Sequence, residues 1–139
     1  MDATVVWKKG LSFVGTGLTT NFSVPMGADP KVGGENDGFR PPELLLVGLG
    51  GCTGMDVISI LSKSKQEITA FEVKTHGERA PQDPKAFTSF VVEYVVTGKN
   101  LDRDAVERAV HLSERKYCGV MDTLRKAGPV ELKITIKDA

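Results

Sequence analysis

The sequence predicts an α+β fold, with elements in the order βββ-α-ββ-αα-β. Three features of the chain carry that prediction. β-Branched and alternating apolar runs come in adjacent groups, over residues 4–25 and again over 68–97. A long apolar stretch containing four glycines separates the two groups. An amphipathic segment and a shorter helical one then precede a final alternating run over 130–136. Strand hairpins divided by helices suit α+β rather than a doubly wound sheet.

Taken in order, Thr4-Val5-Val6-Trp7 is a β-branched and aromatic run, and Leu11 to Gly15 follows beyond a turn at Gly10. Thr19 to Pro25 is bounded by Gly17 and Gly27. Connections this short exclude crossovers and predict an antiparallel meander. Residues 27–40 hold four glycines, one proline and five charged side chains, the composition of a surface loop. Pro41-Pro42-Glu43 opens a helix, because proline fits a first turn and an acid there complements the helix dipole.

That helix is expected over Pro42 to Ser64. Leu44, Leu45, Leu46, Val47 and Leu49 leave no wide polar face in its first half, which predicts burial on all sides. Gly48, Gly50, Gly51 and Gly54 each cost about 1 kcal/mol relative to alanine. Glycines so closely spaced admit a second backbone, here expected from a helix that a partner subunit supplies.

Ile68 to Gly77 and Phe87 to Thr97 read as strands of a hairpin with a long turn at 79–84, and Thr88, Phe90, Val92, Tyr94 and Val96 form the buried face. Leu101 to Tyr117 reads as an amphipathic helix capped by Asp102, with Val106, Val110 and Ser113 on its inner stripe. Val120 to Lys126 is a second short helix ended by Gly128-Pro129, and Val130 to Ile136 closes the chain as a strand.

At 139 residues, with 40% hydrophobic and 26% charged side chains, one globular domain over residues 1–139 is expected. Eighteen basic residues balance eighteen acidic ones, which argues against nucleic acid or an anionic membrane as partner. The N-terminus lacks the apolar core of a signal peptide, and the apolar stretch Leu44–Met55 is too short to span a bilayer, so a cytoplasmic location is expected.

Two cysteines, Cys52 and Cys118, cannot supply a disulfide framework, and in a reducing compartment they are either buried filler or a redox pair. Their separation excludes a CxxC motif, and neither His76 nor His111 lies near them in sequence, so no metal-ligand spacing is found. Cys118 precedes a helix start, where free N–H groups favour a thiolate. Small residues around Cys52 leave room for a substrate or a second sulfur. Asp56, one turn beyond Cys52, is either a hydrogen-bonding group or a like charge that raises the thiol pKa. Tyr117 is read as an amphipathic core residue, His111 as solvated and His76 as lying at a strand end.

The run Pro-Pro-Glu-Leu-Leu-Leu-Val-Gly-Leu-Gly-Gly-Cys52, with Tyr117-Cys118-Gly-Val-Met-Asp-Thr-Leu124 downstream, resembles the family of osmotically inducible protein C and the organic hydroperoxide resistance proteins. The wording looks closest to a less characterised branch of that family. The resemblance implies a curved antiparallel sheet around a central Cys-bearing helix, in an intertwined homodimer. It also implies a peroxidase that needs no metal or organic cofactor. Cys52 would be the peroxidatic thiolate and Cys118 the resolving thiol, with an external dithiol as reductant and small apolar hydroperoxides as substrates. Phe22, Phe39 and Phe90 are candidates to line the pocket. In the peroxidase branches an Arg–Glu pair holds the thiolate, with the Glu ten residues before the first Cys. Here Pro42 occupies that position, Glu43 lies one residue on, and Arg40 is the sole arginine before Cys52. One residue turns a helical side chain by about 100°. Arg40 and Glu43 are therefore candidates for the pair's role and, equally, for an ordinary ion pair at a helix start. The alternative reading of the whole chain is a non-enzymatic dimer that senses redox state or binds small apolar ligands.

Overall fold

A computed structural model describes all residues, 1–139, and divides them into two compact units, Met1–Leu45 and Leu46–Ala139. In the first unit, β1 (Ala3–Lys9), β2 (Ser12–Gly17) and β3 (Ser23–Met26) pair antiparallel in the order β1-β2-β3. The meander is the expected one, but its third strand starts at Ser23 rather than Thr19. Residues 17–22 are used for the turn: Gly17 N–H donates to the Phe22 carbonyl, Asn21 N–H donates to the Gly17 carbonyl, and Asn21 has φ +64°. The loop over 27–40 is folded back on the sheet. Ser12 Oγ donates to Asp37 Oδ2 at 2.6 Å, and Met26 bridges to Phe39.

Helix α1 (Pro41–Lys63) begins in this unit and runs into the next. Arg40 stands immediately before it, and the Glu43 carboxylate reaches back to accept the Arg40 N–H at 2.8 Å, half of a capping box. Only one stripe of α1 is fully buried, Leu49, Thr53, Val57 and Leu61, at successive i+4 positions. Leu45, Val47 and Met55 are exposed, so the expectation of burial on all sides fails for the single chain. The helix continues apolar past Asp56 through Leu61, and by length and composition it would suffice to cross a membrane, which the stretch 44–55 alone would not.

The second unit holds β4 (Glu67–Arg79), β5 (Phe87–Lys99), α2 (Arg103–Leu112), α3 (Gly119–Leu124) and β6 (Val130–Asp138), with sheet order β4-β5-β6. Asp102 caps α2 by accepting the Asp104 N–H at 3.0 Å. The core is built from Phe90, Val92, Tyr94 and Val96 of the predicted β5 face, the α1 stripe, Val106, Ala109 and Val110 of α2, and Met121 of α3, whereas Thr88, expected on that face, is exposed at the start of β5. Phe90 packs beside Phe87 at a ring distance of 5.2 Å inside this core, so it lines no open pocket.

The sheets and the end of α2 also differ from expectation. There are two three-stranded sheets, and β6 lies parallel to β5 rather than completing an antiparallel sheet. The connection from β5 to β6 carries α2 and α3, a crossover long enough to bring the chain back in the same direction. The helix expected through Tyr117 leaves α geometry at Ser113, and residues Ser113–Tyr117 form a π-helical turn closed by Cys118 N–H donating to the Ser113 carbonyl at 2.8 Å.

Candidate active site

The α1 stripe places Thr53 against β5 and the π-helical turn. Thr53 Oγ1 lies 2.7 Å from the Tyr94 hydroxyl and 2.8 Å from Ser113 Oγ, and Ser113 Oγ donates to Asp56 Oδ2 at 2.9 Å. Proton counting gives the chain a direction. A carboxylate only accepts, so the Ser113 proton goes to Asp56, the Thr53 proton goes to Ser113, and the Tyr94 proton goes to Thr53. Tyr94, Thr53 and Ser113 are all shut off from solvent. Burial pushes the Tyr94 phenol up to about 12, against the opposing effect of its hydrogen bond with Thr53, with the neighbouring Cys118, Glu114 and Asp56 adding to the rise.

Asp56 ends this chain one helical turn from Cys52, on the same face of α1. Cys118 arrives from the other side, at the N-cap of α3, with its Sγ accepting the Met121 N–H at 3.4 Å. Ligand atoms of Cys52, Asp56 and Cys118 all fall within 4.8 Å of one another. Both cysteines are free thiols, Cys52 half-buried and Cys118 buried. The helix start does not make Cys118 a ready thiolate. Burial pushes its thiol up to about 11; the Met121 N–H opposes the rise, and Cys52 and Asp56 add to it. One long N–H bond does not offset lost hydration.

The other predicted residues lie elsewhere. The Arg40 guanidinium is held by Asn36 Oδ1 at 2.6 Å and the Gly38 carbonyl at 3.3 Å, so the expected Arg40–Glu43 ion pair is replaced by the backbone cap. Phe22 is exposed and Phe39 sits on the loop bridge. Tyr117 is not core: it is half exposed, with Lys116 Nζ 5.4 Å from its ring, and it helps line a cleft of about 240 Å³ with Asp56, Ser59, Ile60 and Lys63. His111 is exposed and 3.8 Å from Glu114. His76 lies within β4 rather than at its end, 2.7 Å from Glu78.

The resemblance implied that Cys52 and Cys118 come together; Thr53, and a carboxylate beside both sulfurs, were not foreseen. Cys52 and Asp56 at i,i+4 were the sequence signal, but the third member comes from another helix. Arg125 secures that remote segment, with Nη1 3.2 Å from Glu114 Oε1 and Nη2 donating to the Glu114 carbonyl at 2.9 Å.

The family described as OsmC-like protein matches residues 34–133, and the chain belongs to that family. Protein YhfA of Escherichia coli strain K12 is 38% identical over 130 residues, covering 91% of each chain. The crystal structure of a hypothetical protein from Aquifex aeolicus VF5 matches with a TM-score of 0.85 at 27% identity, over 99% of this chain and 96% of that one. An organic hydroperoxide resistance protein OsmC from Legionella pneumophila shares the fold with a TM-score of 0.72 at 16% identity, over 96% and 95%.

Two outcomes follow from this geometry. Thr53→Val leaves the Tyr94 donor and one side of Ser113 unpaired, and lowers stability by about 1–3 kcal/mol; urea unfolding with an unchanged midpoint would show that the chain does not hold the site. Because the Cys118 thiolate is the minor form well below about 11, its alkylation by iodoacetamide, followed by peptide mass mapping, rises about tenfold per pH unit from pH 8 to 10. A rate that levels off near pH 8 would mean an ordinary or activated thiol.

Proposed function

We propose that this OsmC-like protein is a thiol-dependent peroxidase that reduces organic hydroperoxides, with Cys52 as the peroxidatic residue and Cys118 as the resolving one. The observation that carries the reading is the approach of two free thiols, distant in sequence, to within 4.8 Å beside a carboxylate. Their environments differ in the sense that the two roles require. Cys52 is open enough to meet a substrate, while Cys118 is buried and held as a thiol.

In the first step the Cys52 thiolate attacks one peroxide oxygen. An S–O bond forms, the O–O bond breaks, and the alcohol leaves after taking a proton, so that sulfur is oxidised to the sulfenic acid. Cys118 then gives up its proton and attacks Cys52 sulfur, forming the disulfide and releasing water. Asp56 is the base within reach for that proton. An external dithiol returns two electrons and two protons by exchange. Arg40 and Glu43 enter this reading as helix-start residues, accounted for by their hydrogen bonds.

The working unit in this proposal is a homodimer of residues 1–139 acting as one domain, in the cytoplasm, without nucleic acid or membrane partners. Support comes from the second face of α1. Side chains of β4 fill the space beside Gly50 and Gly54, but Gly48 and Gly51 face open space, and Met55 is 73% exposed. An open groove of about 660 Å³ runs along Val47, Gly51, Met55, Phe71 and Val73, and a second copy of α1 fits such an apolar face. The same groove favours the alternative reading, a dimer that binds apolar ligands without turning them over.

One equivalent of cumene hydroperoxide is expected to remove two hydrogens per chain in non-reducing intact mass, reversibly by a dithiol. Cys52→Ser abolishes turnover, and Cys118→Ser gives a single reaction that stops at sulfenic acid. An unchanged mass on fully reduced protein, or multiple turnover in Cys52→Ser, overturns the peroxidase. By sedimentation the protein runs at twice its 15.0 kDa chain mass, and Met55→Glu shifts it to monomer; a monomeric parent protein rejects the dimer.

A further inference from the structure

We propose that the reduced protein binds one zinc ion through Cys52 Sγ, Cys118 Sγ and a carboxylate oxygen of Asp56. The three ligand atoms already lie within 4.8 Å of one another. Tetrahedral zinc, with sulfur at about 2.3 Å and carboxylate oxygen at about 2.0–2.2 Å, separates its ligands by about 3.5–3.8 Å, so closure needs side-chain movements of about 1 Å. Cys52 and Asp56 share one face of α1, and Cys118 is presented opposite them by the start of α3.

The surroundings complete the site. A carboxylate that ligates a metal is oriented by an outer partner, and Asp56 Oδ2 receives the Ser113 hydroxyl, itself fixed by Thr53 and Tyr94. Cys118 Sγ receives the Met121 N–H, a bond that also suits a ligating thiolate. Asp56 forms no ion pair with any Lys or Arg side chain, so its carboxylate has no fixed counter-cation within salt-bridge distance, and neither would two sulfurs deprotonated on binding beside it. A divalent ion supplies it. The cleft lined by Asp56, Ser59, Ile60, Lys63 and Tyr117 reaches the site on its Asp56 side and offers an entry path there.

The donor set selects the metal. Magnesium and calcium require oxygen ligands throughout, whereas two sulfurs with one oxygen and an open position suit zinc. Bound zinc engages the sulfur lone pairs that the proposed peroxide chemistry uses, so occupancy caps the thiol pair. The site shares its residues with that proposal, but zinc binding involves no peroxide and stands or falls separately.

The test uses the full-length reduced protein, held anaerobically, with zinc sulfate titrated against a chromophoric chelator. One zinc per chain with submicromolar affinity is expected, and Cys52→Ser and Asp56→Asn each weaken it tenfold or more. Both positions are incompletely buried, so these variants are the ones to rely on if Cys118→Ser fails to fold. Cobalt(II) in place of zinc gives the intense visible bands of a tetrahedral site and a thiolate charge-transfer band in the parent protein, the latter lost stepwise with each cysteine. Zinc slows alkylation of both cysteines at least tenfold, and a chelator restores it. Binding weaker than 100 μM, or an affinity unchanged in Cys52→Ser and Asp56→Asn, overturns the site. Zinc binding in a protein whose mass does not respond to cumene hydroperoxide would leave the metal site standing and remove the peroxidase.

Discussion

The buried hydrogen-bond chain from Tyr94 through Thr53 and Ser113 to Asp56 is the interaction on which the site depends. It ties α1 to β5 and to the π-helical turn with three short bonds, none open to solvent at its hydroxyl members. Polar groups so buried are costly unless every one is paired, and here each proton has one acceptor and the row ends on a carboxylate. The arrangement therefore tolerates little displacement. A slide of α1 by about 1 Å or more along β5 would carry both bonds at Thr53 beyond good hydrogen-bond distance. Holding Asp56 in place also fixes the carboxylate beside two sulfurs, so a structural tie and the chemistry of the site are one feature.

The π-helical turn is the device that makes this possible. α2 runs as an ordinary amphipathic helix to Leu112, and the wider turn from Ser113 redirects the chain so that Ser113 stays inward while Cys118 starts α3. Ser113 serves twice: its carbonyl accepts the Cys118 N–H, and its hydroxyl joins Thr53 to Asp56. Arg125 clamps the turn from the end of α3 through Glu114. Wider turns of this kind are frequent at functional sites, and here the turn sets which sulfur meets which.

Helix α1 carries two different faces on one apolar sequence. Gly50 and Gly54, four residues apart, let Val73, Thr75 and Phe71 of β4 close on the backbone, which explains two of the four glycines. Gly48 and Gly51 meet nothing in the chain, and neighbours such as Val47 and Met55 stay exposed. A helix apolar nearly all round is stable in water only when its remaining faces are covered. The asymmetry between the two cysteines has the same root, since Cys52 stands at the edge of the buried stripe and Cys118 lies within the core.

The sequence by itself determined the elements and the family. Period-two runs located the strands, prolines and Glu43 located the start of α1, Asp102 located that of α2, and the alternation of β5 named its buried face from Phe90 to Val96. These signals are local, set by backbone preference and by which side chains leave water. Only tertiary structure decided the parallel placement of β6, because strand direction depends on how a crossover returns and not on alternation. It also decided the departure from α geometry at Ser113, which no propensity in Ser-Glu-Arg-Lys-Tyr announces. The resemblance implied that the two cysteines meet, but the row of Thr53, Tyr94, Ser113 and Asp56 beside them was invisible for a related reason. Each is an ordinary residue in its own segment, and their chemistry arises from distances between segments far apart in the chain, which packing alone sets.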